Sequence, residues 1–320
     1  MALTASPKLA LKRGALITAA NWHVVLVQFI ADSVFTALLA VPVVGGAALV
    51  VLTSDLEPQT LFQHGARRAV LAVAAALLAH PLALVAFLLA VGVVLLGGSL
   101  FMAFVKGGTI AILAAAEREA GQIEHPPLRL AAVRAASRFS LERAATGAQG
   151  LFGRFARLGC GLFVAYAAVL ILAGVAFTQG GTGAAWDAAR LAGVTAGVVT
   201  AVTLVNLLYL LTQIVIALDD CDVLTGLARV SAFLVRQPRQ IGIVFAVAST
   251  LVALGTAASL LATAALGLIA FVPFVGLAVL PLQVGAWLVR GFVFQFLGLT
   301  ALVAYVRLYR LAGGGTGDAA

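Results

Sequence analysis

Four polar side chains interrupt long apolar stretches of this sequence, and chemistry would start from them: Asp32, Lys106, Asn206 and Gln295. Placing a charge in hydrocarbon costs on the order of 2.5–3.5 kcal/mol on insertion scales, so one retained there needs a partner, a wet cavity or a role in moving ions or solutes. Asp32 lies ten residues beyond Trp22, which at a helical rise of 1.5 Å per residue is roughly 15 Å deep. Lys106 lies eleven residues before Glu117, at a similar depth, and Asn206 and Gln295 are comparably far from Asp219 and Arg307. The spacing predicts an Asp32 to Lys106 ion pair near the bilayer midplane, flanked by Asn206 and Gln295, as a transporter of small solutes or lipids would require. The alternative is that Lys106 snorkels to the headgroups while Asp32 bonds to Gln28 or Ser33, or is protonated.

Other reactive types are scattered. His23, His64, His80 and His125 show no ligand spacing, and Cys160 and Cys221 belong to no CxxC or Cys/His cluster. Asp219, Asp220 and Asp222 around Cys221 could bind a divalent ion, but they read better as a solvated stop to an apolar run, balanced by Arg229. No nucleophile elbow, phosphate-binding loop or dinucleotide fingerprint stands in a helpful context. No catalytic residue, metal or cofactor is therefore assigned, and the expectation is a protein that is not an enzyme. Gly92, Gly97, Gly98, Gly107 and Gly108 read as helix-packing positions rather than as an unwound ligand site.

The elements that carry these residues follow from composition. Hydrophobic residues make up 63% of the 320 and charged residues only 10%, with a mean hydropathy of +1.12. A soluble core could not hide that much apolar surface. Charges come in short clusters between runs long enough to cross about 30 Å of hydrocarbon as helices, and the alternation of a membrane β-barrel is absent. The fold class is all-α: a polytopic bundle, residues 1–312, with six spans at about 22–52, 82–106, 158–178, 191–217, 241–272 and 284–306, and a disordered tail at 313–320. Pro42, Pro81, Pro273 and Pro281 predict kinks or broken helices. The apolar stretch 69–79 is too short to cross and reads as half-inserted, as 274–283 could be. The N-terminal apolar run is too long for a signal peptide.

Basic residues fix an orientation. With a cytoplasmic N-terminus, every Lys and Arg except Arg67, Arg68, Arg190 and Arg290 falls inside, which the positive-inside rule favours. The net charge of +8 then belongs to anionic headgroups rather than nucleic acid. Leu128, Ala132, Ala135 and Phe139 share a stripe opposite Arg134, Arg138 and Glu142, predicting one interfacial helix. Val223, Leu227, Val230 and Leu234 predict another, with Arg229 and Arg236 elsewhere around it, and Lys8, Lys12 and Arg13 mark a weaker third. Arg129, Arg134, Arg138, Arg229 and Arg236 are the expected contacts to anionic lipid. Units beginning near residues 5, 125 and 222, each an interfacial helix and two spans, predict three parallel repeats.

The basic N-terminal helix before a Trp-containing span, the run Gly97 to Glu117, the segment Leu227 to Pro238 and the ending Tyr305 to Leu311 together resemble a known family. It is the membrane domain attached to some glycerophosphoryl diester phosphodiesterases, with its stand-alone bacterial relatives of unknown function. The resemblance spans nearly the whole chain and implies a fold and a location, without a catalytic signature and without the soluble phosphodiesterase barrel. The functional expectation is a multi-pass protein of the bacterial cytoplasmic (inner) membrane with both termini cytoplasmic, acting as a scaffold, accessory or lipid-interacting factor. Its partners would be the bilayer, anionic headgroups, and a membrane protein or a second copy of itself.

Overall fold

A computed structural model describes residues 6–53, 78–124, 130–178, 184–270 and 275–313. Arg129, the His125 to Pro127 helix start, most of the 69–79 stretch and the tail from residue 314 lie outside them. Among the described residues all regular structure is helical: α1 (Pro7–Ala20), α2 (Trp22–Thr53), α3 (Pro81–Glu119), α4 (Leu130–Ala135), α5 (Leu141–Thr178), α6 (Ala184–Asp219), α7 (Val223–Arg236), α8 (Pro238–Ala270) and α9 (Val275–Leu311). Six of these, α2, α3, α5, α6, α8 and α9, are long and apolar enough to cross a membrane. The chain is thus a multi-pass α-helical membrane protein, since in lipid each span must bond its own backbone.

Several helices overrun the expected spans. The third begins at Leu141 rather than near 158, and the second continues to Glu119. The prolines divide by position: Pro7 and Pro81 open α1 and α3, where a missing N–H costs nothing, whereas Pro42 and Pro281 lie inside continuous α2 and α9, so neither breaks its helix.

The single interfacial helix expected across Leu128 to Arg143 is instead α4, a non-helical stretch from Ser137 to Ser140, and the start of α5. Asn21, fully buried at the junction of α1 and α2, explains the interruption. Its amide nitrogen donates to the carbonyls of Ile17 (3.0 Å) and Ala136 (3.1 Å), and its carbonyl oxygen accepts from the backbone N–H of Arg138 at 2.8 Å. These bonds satisfy groups that would otherwise need a continuing helix. Ser140 then starts α5, its hydroxyl accepting the Arg143 N–H at 3.1 Å as an N-cap. His23 stacks on Phe139 at 5.3 Å and holds the interruption from the other side.

The chain divides into two compact units, Met1–Phe29 with Ala103–Ala320, and Ile30–Met102. Within the smaller one, the rings of Phe35 and Phe87 rest on Gly98 and Gly46, where a methyl group would come within 2.1 and 2.7 Å of them. Within the larger one, the core gathers where the helices carry their charged ends. From Leu299 to Val306 every residue of α9 is buried, as are Ile17, Leu113, Phe155, Ile216 and Val230 around it. Gly107 and Gly108 of α3 meet the backbones of Ala148 and Ala144 of α5, and Gly147 meets Ala111, so small residues let these two helices touch. A methyl group on Gly92 or Gly97 would find nothing within 4 Å, so these two take no part in such packing.

Candidate functional site

The most concentrated chemistry lies at the charged ends of the helices, in the larger unit. It begins with an Arg on the wrong face. Ala10, Arg13, Gly14 and Ile17 share one side of α1, and all are buried. A methyl group on Gly14 would lie 2.4 Å from the Thr300 carbonyl oxygen of α9, so only glycine allows α1 to approach this closely. That approach carries the Arg13 guanidinium inside, where it is 3% exposed.

Arg13 is met there by two carboxylates. Its Nη1 donates to Glu124 at 2.6 Å and to the Gly121 carbonyl, its Nη2 donates to the Glu117 carbonyl at 2.9 Å, and its Nε lies 3.3 Å from the Glu117 carboxylate. Gly121, with φ of +45°, turns the chain so that Glu124 comes back toward α1. The end of α9 supplies Arg310, which donates to Glu117, and Arg307, 3.3 Å from Glu117 and 3.7 Å from Glu124. Lys12 donates to the Glu124 carbonyl at 2.8 Å. Three guanidiniums thus share two buried carboxylates. Burial alone would push the Glu124 carboxyl up, but its backbone hydrogen bond and the charges of Arg13 and Arg307 outweigh that and hold it below the usual range.

A related arrangement joins α6, α7 and α9. Arg229 pairs with the buried Asp219 at 2.5 Å, and the Tyr309 hydroxyl donates to the same carboxylate at 2.6 Å. The hydrogen bond from Arg229 to Asp219 raises the Arg229 pKa further. Arg154 of α5 bonds to the exposed Asp220, whose φ of +48° ends α6 in a left-handed turn. The acidic stop read from the sequence is therefore solvated at Asp220 but not at Asp219. Burial pushes the Cys221 thiol up, away from nucleophilic use. Arg138 pairs with Glu119 at 2.6 Å.

α1 and α7 share part of their pattern. Both are 14 residues long, and three buried positions correspond, Ala10 with Gly226, Gly14 with Val230 and Ile17 with Phe233, whereas Arg13 and Thr18 are buried on α1 alone. Arg13 corresponds to Arg229, and Asn21 to Gln237, each of which ends its helix with a backbone N–H bonded to a carbonyl four residues back at 3.0 Å. α7 packs on α6, the helix before it, and α1 packs on α9, the last helix of the chain.

The midplane residues are placed as follows. Lys106 stands with its Nζ 5.2 Å from the centre of the Tyr209 ring of α6, a cation–π contact. Asn206 accepts a hydrogen bond from Tyr166 at 2.7 Å, and Gln295 is half-buried on α9. Asp32 is exposed on α2 and belongs to the smaller unit, whereas Lys106 belongs to the larger. Of the expected lipid contacts, Arg134 and Arg236 are exposed, while Arg138 and Arg229 are held by Glu119 and Asp219. Val223 and Leu234 lie on the inner side of α7 as expected, but Leu227 is exposed, and the fully buried face is Gly226, Val230 and Phe233. No group of three metal-binding side chains occurs among the described residues.

Read from the sequence, Arg13, Arg307 and Arg310 are orientation charges, and their meeting at Glu117 is missed. One signal was available: Arg13 sits between Ala10, Gly14 and Ile17 on the apolar stripe of its own helix. As built, the site pairs buried carboxylates with guanidiniums and fastens helix ends to one another. Fold and site together define a polytopic membrane bundle whose charged helix ends are ion-paired in its interior. The chain matches none of the protein-family models, curated proteins or solved structures with which it was compared.

Proposed function

We propose that this is a non-enzymatic scaffold or lipid-interacting factor of the bacterial inner membrane, with its ion-paired end and both termini in the cytoplasm. On this reading it shares its plan with the membrane domain attached to glycerophosphoryl diester phosphodiesterases. The supporting observation is α7. Its inner face is clamped to the bundle, while Leu224 and Val235 on the outer side are each 81% exposed. Arg236 lies beside them, without a carboxylate partner among the described residues. A helix fixed on one side, apolar on another and basic on a third suits the boundary between acyl chains and anionic headgroups.

The test uses Leu224→Cys in a background without Cys160 and Cys221, labelled with an environment-sensitive fluorophore and reconstituted in bilayers. Emission should shift to the blue as anionic lipid increases, the shift should weaken with salt and with Arg236→Gln, and impermeant thiol reagents should reach the site only from the cytoplasmic face. Emission indifferent to lipid charge, or labelling from the outer face, would remove the proposal.

A second reading, transport, is favoured by one observation: α6 carries two polar contacts one turn apart, Tyr209 under Lys106 of α3 and Asn206 bonded to Tyr166 of α5, which makes a polar patch deep in the spans. Under that reading Lys106→Ala and Asn206→Ala should each reduce solute flux in vesicles.

A further inference from the structure

From Val223 to Gly317 the chain contains no Asp or Glu, yet Arg290 stands within α9 in the middle of that stretch. It lies 17 residues before Arg307, roughly 25 Å along the helix at 1.5 Å per residue, which puts it near the boundary of the hydrocarbon opposite the ion-paired end. Its guanidinium meets an aromatic face, with Cζ 5.3 Å from the centre of the Phe294 ring, and no carboxylate pairs with it among the described residues. Phe294 in turn is fixed against Gly255 of α8, where a methyl group would come within 2.9 Å of the ring. Arg290 is thereby held at the wall of a groove of about 700 Å³ between α8 and α9. The small side chains Ala258 and Ala262 leave the groove its depth, and Trp287, one turn from Arg290, lines its α9 side. The Thr263 hydroxyl in the same wall is already bonded to the Ser259 carbonyl at 2.8 Å.

We propose that this groove binds one anionic phospholipid, with its phosphate on the Arg290 guanidinium and an acyl chain along the small-residue wall of α8. An arginine near the hydrocarbon boundary favours an anionic partner, the described residues supply none, and a guanidinium presents paired donors that match phosphate oxygens. The alanines of the α8 wall suit a hydrocarbon chain, and Trp287 sits at the level where aromatic side chains meet headgroups. A net-negative headgroup is favoured because a zwitterionic one brings its own ammonium in competition. The site lies at the end of the molecule away from α7 and does not depend on the role proposed for it.

Trp287 makes the test direct. The full chain carrying Trp22→Phe and Trp186→Phe, with Trp287 its sole tryptophan, is reconstituted in phosphatidylcholine containing increasing amounts of phospholipid brominated in its acyl chains. Brominated phosphatidylglycerol should quench Trp287 at lower mole fraction than brominated phosphatidylcholine, by roughly fivefold in relative binding constant, the size of one basic contact to an anionic lipid. Arg290→Gln should abolish that preference while ordinary contact quenching persists, Ala258→Leu should reduce quenching by both lipids, and inorganic phosphate should leave the preference intact. Equal quenching by the two headgroups in the parent protein, a preference surviving Arg290→Gln, or competition by inorganic phosphate would each overturn the assignment.

Discussion

In the larger unit, the two ends of the same helices are built by different rules. At the charged end, α6 buries Leu211, Ile214, Val215 and Ile216, and α9 buries everything from Leu299 to Val306. Toward the other end of the same helices, Leu191, Val199, Val289 and Val293 are exposed. The exposed half is no less apolar than the buried half. Lipid tails are as apolar as leucine, so burial there gains nothing from the hydrophobic effect and requires small-residue contact or polar bonding instead. The charged end meets the aqueous boundary, where exposed apolar surface carries a cost; packing it away desolvates the charges among it, and the ion pairs answer that second cost.

The comparison breaks most visibly at Arg13. Arg13→Ala leaves Glu117 and Glu124 buried with less compensation and should cost about 3–5 kcal/mol, the usual result of removing one partner from a buried pair. Leu204→Ala, in the exposed half of α6, should change stability by less than about 1 kcal/mol, and equal losses in denaturant titration of the detergent-solubilised protein would erase the distinction between the ends. Next in size is Gly14→Ala, which forces a methyl group into the Thr300 carbonyl and should cost about 1–3 kcal/mol, while Gly267→Ala, with open space around it, should be neutral or slightly stabilising. Thermal unfolding of the two variants side by side decides this.

A smaller effect should appear with pH. The Glu124 carboxyl is held below its ordinary value of 4.5 in the folded protein. Its contribution is therefore complete above that value and is lost as the pH falls below it through the folded pKa. Stability measured downward from pH 6 should decline in this acid window, and Glu124→Gln should lower the plateau and flatten the limb. A variant with an unchanged acid limb would remove Glu124 from the cluster's energetics.

Much of this was legible in the residues. Uninterrupted apolar runs of spanning length admit only helices in lipid, and the six spans follow from that alone. The likeness of the segments near residues 5 and 222 is readable as a repeat, and three of the buried positions of α1 have counterparts in α7. The middle unit departs because Asn21, distant in sequence, captures the backbone at Ala136 and Arg138. No local pattern around residues 130–140 carries that information.

Hydropathy and chain length thus determined the class of the molecule, because the solvent imposes the same rule on every span independently. Which charges would be orientation signals and which would be interior ion pairs was decided only when α1 closed onto the last helix of the chain. Arg13 and Arg310 are almost 300 residues apart, and their shared carboxylate at Glu117 lies on a third helix. Electrostatic energy depends on distance and burial in space, and for groups brought together from three helices neither quantity is written in the order of the residues.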